Sequence, residues 1–451
     1  MMFIVKIILG LIGLGVVVFV HELGHFLAAR LVGIEVEAFS IGWGKPILKK
    51  KVGAVEYRLG MFPLGGYCKM RGENEFQEAW ENRKNAVDPV PGTYFGVSPF
   101  RRIVMAFAGP FFNLIFAVLV LSIIWGTGFE VSTLDNRIIL ASEISGDQLY
   151  PADEAGLKTG DRIIGVNGKK TPYYHDIQEN IAVNPEKNLA LAVERDGSVL
   201  DIEVRPSLDK STGAGKIGVY FWTDPVISAV TGPAAAAGLE AGDKIIGVNG
   251  EAIPHTVEFI KILEQSPRQL TIDYERNGRT AQTVLIPAYT EKGEVDLGIS
   301  YGIVQYRNPP LNPFAALVKG TQETYKTFVV SLRSLALLFK GIDLTQAVSG
   351  PVRITYMAGD IAAEGFGQSF GTGIRSMANF LSLISIALCL MNLLPLPVLD
   401  GGMIVLFLIE GICRKPLNPR AINAFQTVGV VLIFGLMAFA VFGDVLYLIH
   451  R

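Results

Sequence analysis

Apolar positions along the chain gather into four runs, residues 3–29, 103–125, 377–399 and 425–449. Each is long enough to cross a hydrocarbon layer of about 30 Å as a helix rising about 1.5 Å per residue. Between the second and third runs the pattern changes to short alternating blocks, separated by turn-forming pairs such as Asp196-Gly197 and Asn277-Gly278. Such pairs predict hairpins, because both central residues of the tight turn need positive φ. Residues 313–340 show a third pattern, apolar at helical spacing but interrupted by Lys319, Gln322, Glu323, Lys326 and Arg333. That spacing predicts an amphipathic helix on the outer membrane surface, a connector to the third run.

The alternating region is internally repeated. Residues 155–168 read AGLKTGDRIIGVNG and residues 237–250 read AGLEAGDKIIGVNG, with 11 of 14 positions identical. The Asp-Gly and Asn-Gly hairpins recur at nearly the same offset, so the region is a duplicated unit of about 80 residues. Ile163, Ile164 and Val166 read as a core strand that Asn167 and Gly168 turn back. The motif resembles PDZ domains of bacterial envelope proteases. Such domains take an extended peptide, often a C-terminus, as an added strand at a sheet edge; equally, the pair here serves only to fill space and restrict access. Residues 217–221 read as the groove strand of the second module, with no equally clear counterpart in the first.

Half of the residues are hydrophobic and mean hydropathy is positive, which excludes a soluble enzyme of ordinary surface composition. A formal net charge of -2 gives no reason to expect nucleic acid as a partner. Twelve Lys and Arg residues lie between the first two runs, and Arg414, Lys415 and Arg420 between the last two. Both links are therefore expected to be cytoplasmic, with the PDZ-like region and both termini outside. Lys6 speaks mildly against this and also suggests a cleaved signal peptide, but His21 and Glu22 sit inside the same run. Cys68, Cys389 and Cys413 all fall in membrane or cytoplasmic positions, which excludes a disulfide framework in the exported modules.

Residues 21–25 read HELGH. On a helix His21 and His25 lie on one face and can offer two imidazole nitrogens to one metal, with Glu22 beside them to take a proton from water. Charged side chains inside a membrane helix cost about 2.5–3.5 kcal/mol each on insertion scales, so these residues point to a polar cavity or a metal. A catalytic zinc usually has a third protein ligand and an open position. His175, His255 and His450 are poorly placed for it. The third apolar run ends in NLLPLPVLDGG, where Pro395 and Pro397 should break the helix and leave Asp400 as an oxygen ligand at the broken end.

HELGH, FSIGWGK at residues 39–45, PLGGY at 63–67, AGPFFN at 108–113, the PDZ-like repeat, SGP at 349–351 and NLLPLPVLDGG occur in that order. The ordered set resembles the site-2 protease family of intramembrane zinc metalloproteases over nearly the whole chain. The resemblance implies one catalytic Zn2+ held by His21, His25 and Asp400, with Glu22 as general base. It implies a membrane-associated β-hairpin between the first two spans, with Gly42, Gly44, Gly65, Gly66 and Tyr67, together with Asn392, holding the substrate backbone. It further implies single-span membrane proteins of the anti-sigma-factor type as substrates, cut in a bacterial inner membrane after an earlier cleavage, with the PDZ pair as a size filter. The family commonly has a second Asn where this chain has Ala387. Gly65 and Gly66 also read as a plain turn, Asn392 as a helix-to-helix hydrogen bond, and Gly109, Pro110 and Asn113 as the makers of a close helix contact.

The expected fold is thus a polytopic α-helical membrane protein with four transmembrane helices, two inserted PDZ-like α+β domains and the hairpin. Expected boundaries are 1–126 for the first part of the membrane core, 127–210 and 211–290 for the PDZ-like domains, 291–373 for the connector and 374–451 for the second part of the core. Two rival readings are an inactive PDZ scaffold in the membrane and a metal transporter; few spans and a duplicated module speak against the latter.

Overall fold

Among the described residues, four helices are long and apolar enough to cross a membrane, Gly10–Val32, Pro99–Thr127, Phe370–Asn392 and Pro419–Asp444. They belong to a computed structural model that describes residues 2–145, 148–210, 213–264, 267–289, 295–302, 304–337 and 350–449. The chain forms two units, residues 1–129 with 309–451, and residues 130–308.

In the first unit, helix α1 (Met2–Val32) packs on α3 (Pro99–Thr127), and glycines make the contact close. A Cβ on Gly24 would strike the Ala108 carbonyl and lie 3.0 Å from Phe112 Cβ, so any larger residue would push the helices apart. Helix α4 (Pro313–Leu337) is present as its spacing predicts, but its placement differs from the expectation of a helix flat on the outer surface. Ala316 approaches Gly126, Gly320 abuts Ser122, and Phe328 packs with Ala117 and Ile386, so α4 runs antiparallel along α3. The reason lies in Ala316, Gly320 and Thr324, which repeat every four residues and give α4 one small-residue face. The end of the expected amphipathic segment, from residue 338, and Ser349 of the SGP motif lie outside the described residues.

Helix α5 (Pro351–Gln368) falls within the expected connector and was not foreseen. It touches α1 where Gly10 meets Thr355. The Asp444 carboxylate caps its start, accepting from the Gly350 amide at 2.9 Å and from the Val352 and Arg353 amides at 3.1 Å. Helix α6 (Phe370–Asn392) ends seven residues before the expected limit at Leu399, because residues 393–399 form the proline-broken turn itself. Asp400 then opens α7 (Asp400–Cys413), and α8 (Pro419–Ile449) follows. A buried bidentate pair ties α7 to α3, with Arg102 Nη2 2.6 Å from Glu410 Oε1 and Nη1 3.1 Å from Oε2.

Between α1 and α3 a long antiparallel pair, β1 (Val36–Val52) and β2 (Val55–Met70), doubles back on itself before the short helix α2 (Glu73–Glu81). Gly42 and Gly44, at φ +82° and +90°, make the reversal. Residues 38–41 consequently have strand partners on both sides, residues 56–59 and residues 66–69.

The second unit holds two modules of the same design. In the first, β4 (Arg162–Val166), β5 (Lys169–Lys170), β6 (Leu189–Arg195) and β7 (Ser198–Val204) form a sheet in the order β5-β4-β6-β7, while β3 (Ile138–Leu140) pairs with β8 (Val219–Phe221). In the second, β10 (Lys244–Val248), β11 (Glu251–Ala252), β12 (Leu270–Arg276) and β13 (Arg279–Leu285) repeat the order β11-β10-β12-β13, and β9 (Ile227–Val230) pairs with β14 (Ile299–Tyr301). Asp196-Gly197 and Asn277-Gly278 carry positive φ at both positions, as their pairing predicted.

Two boundaries change. Ile217 lies in the first module's core and β8 pairs with β3, so residues 217–221 belong to the first module, not the second, and the limit expected at 210/211 cuts through it. Ile299 and Tyr301 pack on the second core, which carries that module past residue 290, while residues from 309 onward belong with the membrane unit. The cause is common to both: each module closes with a strand that follows its four-stranded sheet in sequence. The repeated motif marks the sheet but not this last strand.

Candidate metal centre

His21 and His25 sit one turn apart on α1, so their rings project from one face into the crossing with α3. Both residues are buried, and the rings meet edge to face with their Nε2 atoms 3.2 Å apart. Asp400 reaches them from the first turn of α7, with Oδ2 3.2 Å from His21 Nε2 and Oδ1 3.4 Å from His25 Nε2. The helix begins there because Gly401 and Gly402 let it nest on the turn: a Cβ on either would strike the carbonyl of Leu394 or Leu396.

Among the described residues these three form a cluster of metal-ligating type. Zn–N and Zn–O bonds of about 2.0–2.1 Å at tetrahedral angles set ligand atoms roughly 3.3 Å apart. The three observed separations straddle that value, with Asp400 facing each imidazole through a different oxygen, so the donor set fits a zinc ion. His25 Nδ1 is 2.9 Å from the Met105 carbonyl, which as acceptor fixes the proton on Nδ1 and leaves Nε2 bare toward the cluster. Gly109 stands over both rings, and a Cβ there would strike His25 Nε2 and lie 2.8 Å from His21 Cε1.

A cavity of about 530 Å³ opens onto the cluster, lined among others by Glu22, Tyr67, Cys68, Met105, Asn392 and Asp400. The Cys68 main-chain amide donates to the Glu22 carboxylate, which draws the edge of β2 against the metal centre. Gly66 makes this approach possible, since a Cβ there would lie 3.2 Å from Glu22 Cγ and 2.8 Å from the Ser40 carbonyl. Asn392, at the end of α6, places Nδ2 3.4 Å from His21 Nε2. Tyr67 lines the cavity and accepts from Arg58 Nη1 at 2.9 Å. Gly65, at φ +84°, lies under the Trp43 indole, and together with Gly42 and Gly44 it shapes the hairpin without lining the cavity. The site therefore brings together His21, Glu22, His25, Asn392, Asp400, Gly66 and Tyr67, and leaves the other three glycines in the reversals. Sequence reasoning assigned helix contact alone to Gly109 and Asn113. Their i, i+4 spacing, equal to that of the two histidines, was the available clue.

The model of Peptidase family M50 matches residues 9–436. The chain belongs to that family. M50 relatives include a Treponema pallidum (strain Nichols) protein named "Putative zinc metalloprotease", 36% identical over 449 residues, covering 99% of this chain and 100% of its own. The "Regulator of sigma E protease" of Haemophilus influenzae is 32% identical, with 97% and 98% covered. The "Regulator of sigma-E protease RseP" of Escherichia coli K12 is 30% identical, with 96% and 97% covered. A solved PDZ domain of an SdrC-like protein from Listeria monocytogenes is 26% identical over 18% of this chain and 84% of its own, at TM-score 0.15.

Proposed function

We propose that this M50 protein is an intramembrane zinc metalloendopeptidase of the site-2 type. It cleaves transmembrane segments of single-span regulators, anti-sigma factors among them, in regulated intramembrane proteolysis. The observation that carries the reading is the convergence of His21, His25 and Asp400 at zinc-ligand spacing beside Glu22, with both histidines and Glu22 on a helix long and apolar enough to cross a bilayer.

One zinc ion, held by His21, His25 and Asp400, would polarise the scissile carbonyl and acidify a water. Glu22 takes the proton from that water and returns it to the leaving nitrogen. A transmembrane helix hides its peptide groups in i to i+4 hydrogen bonds, so the substrate must unwind before attack. The edge formed by residues 66–70 supplies replacement hydrogen bonds by strand addition. On this reading Gly66 and Tyr67 meet the substrate, Asn392 steadies its backbone, and Gly42, Gly44 and Gly65 act by shaping the hairpin.

The charge distribution supports a bacterial inner-membrane location with the PDZ-like modules on the periplasmic side. Their place in the chain, directly after α3 and before α4, supports a role as size filter for uncut substrates. A cavity of about 400 Å³ in the first module, lined by Ile177, Ile181, Ile217 and Val219, supports peptide binding there as well. The test is cleavage of a model transmembrane peptide by the purified chain in detergent. Glu22→Gln is expected to retain zinc and the fold while cleavage falls by at least about 10²-fold, the lower range for general acid–base catalysis, and Asp400→Asn is expected to lose both zinc and cleavage. Unimpaired cleavage by Glu22→Gln would refute the reading.

A further inference from the structure

The proposed zinc site makes a demand on each imidazole. A neutral ring carries one proton, and Nε2 can face a metal only if that proton sits on Nδ1, which then needs an acceptor. For His25 the acceptor is the Met105 carbonyl at 2.9 Å. For His21 the partner at Nδ1 is the Asn113 carboxamide, whose Nδ2 lies 3.3 Å away. Asn113 is fully buried, and its Oδ1 is the one end of the group without a hydrogen-bond partner. A half-turn of the carboxamide exchanges the two ends in nearly the same volume. It would place the unpartnered oxygen on the ring nitrogen that needs an acceptor.

We propose that Asn113 is a positioning residue that accepts the Nδ1 proton of His21 through Oδ1 and so holds the Nε2 lone pair toward the metal. The inference rests on the zinc reading above and adds to it the role of α3. Met105, Gly109 and Asn113 recur every four residues on the face of α3 that meets His21 and His25. Met105 orients one ring, Gly109 leaves room for both, and Asn113 orients the other. Helix packing does not account for the side chain. Ser385 of α6 donates to the main-chain carbonyl of Asn113 at 2.9 Å, and the close approach of α1 to α3 is made at Gly24 and Gly109.

The experiment uses the purified full-length chain in detergent, with zinc affinity measured by competition against a chelating dye and folding followed by circular dichroism. Asn113→Leu keeps the side-chain shape without the acceptor and is expected to bind zinc about 10–100-fold more weakly, the usual loss when a ligand's orienting partner is removed. Asn113→Asp keeps an acceptor and is expected to bind at least as tightly as the wild type. In ¹⁵N-histidine spectra of the zinc-loaded wild type, His21 should carry its proton on Nδ1. Zinc binding by Asn113→Leu within about twofold of wild type would overturn the proposal, as would an Asn113→Asp variant as weak as Asn113→Leu or a proton on Nε2 of His21. If Asn113→Leu does not fold, the Asp variant and the spectra decide in the same sense. A wild type that binds no zinc would overturn the metal reading itself, a failure distinct from any difference between the variants.

Discussion

At the scale of single residues, the centre depends on what is missing as much as on what is present. Gly109 occupies a position where any side chain would enter the space of both imidazoles. Gly109→Ala is therefore expected to displace the rings and weaken zinc binding roughly tenfold or more, measured by metal content after dialysis at fixed free zinc, while the apolar contacts of α3 persist. The two histidines and Asp400 were readable because each announces itself: HELGH sets two nitrogens one turn apart, and a proline-broken helix end followed by Asp-Gly-Gly offers a carboxylate. Asn113 could not be read in the same way. An amide in an apolar helix serves packing or chemistry equally well, and only the carboxamide's place at His21 Nδ1, with its Oδ1 unpartnered, separates the two.

At the scale of elements, the repeated AGLxxGD motif has a physical cause that recurs in both modules. Arg195 grips Asp161 through Nε and Nη2, each at 2.7 Å, and Arg276 grips Asp243 at 2.6 and 2.7 Å. Each aspartate also accepts a main-chain amide, from Lys158 or Glu240, at 2.8 Å. The Arg276 guanidinium beside Asp243 holds its carboxyl below the usual carboxylate range. The stabilisation is thus fully present above the unfolded value near 3.9 and is lost as pH falls through the lower folded value. Arg276→Leu is expected to destabilise the second module at neutral pH, because it removes the guanidinium from the Asp243 carboxylate. Hydrogen exchange in β10 and β12 should show the loss, and the difference from wild type should shrink in strong acid to what the Gly238 carbonyl contact contributes. Elements with a plain pattern were legible, as the hairpins and the four apolar helices show, apart from the end of α6. Helix α5 was not, because Arg353, Asp360 and Glu364 interrupt its apolar positions and its Gly and Ala residues earn their place only against α1 and α6. For α4 the helix was legible but not its berth, since one small-residue face reads the same whether lipid or α3 lies against it.

At the scale of the whole molecule, the division into two units suggests how specificity is organised. Every residue of the candidate centre lies in the membrane unit, none in residues 130–308. Replacing residues 130–308 by a short flexible linker is therefore expected to leave cleavage of a bare transmembrane peptide within a few-fold of the full chain. On the size-filter reading, the same variant should also cut substrates that still carry a bulky exported domain, whereas the full chain should reject them. Equal rejection by both, measured by gel assay in reconstituted vesicles, would remove the size-filter role while leaving the protease reading intact.

The cap on α5 comes from Asp444, more than ninety residues further along the chain. A nascent polypeptide that has not yet reached that carboxylate leaves the amides opening α5 without it, although α1 and α3, with both imidazoles, have long been synthesised. Completion of the helical bundle is in this way tied to a stretch synthesised more than ninety residues later, and a chain cut short before Asp444 would carry α5 without its cap.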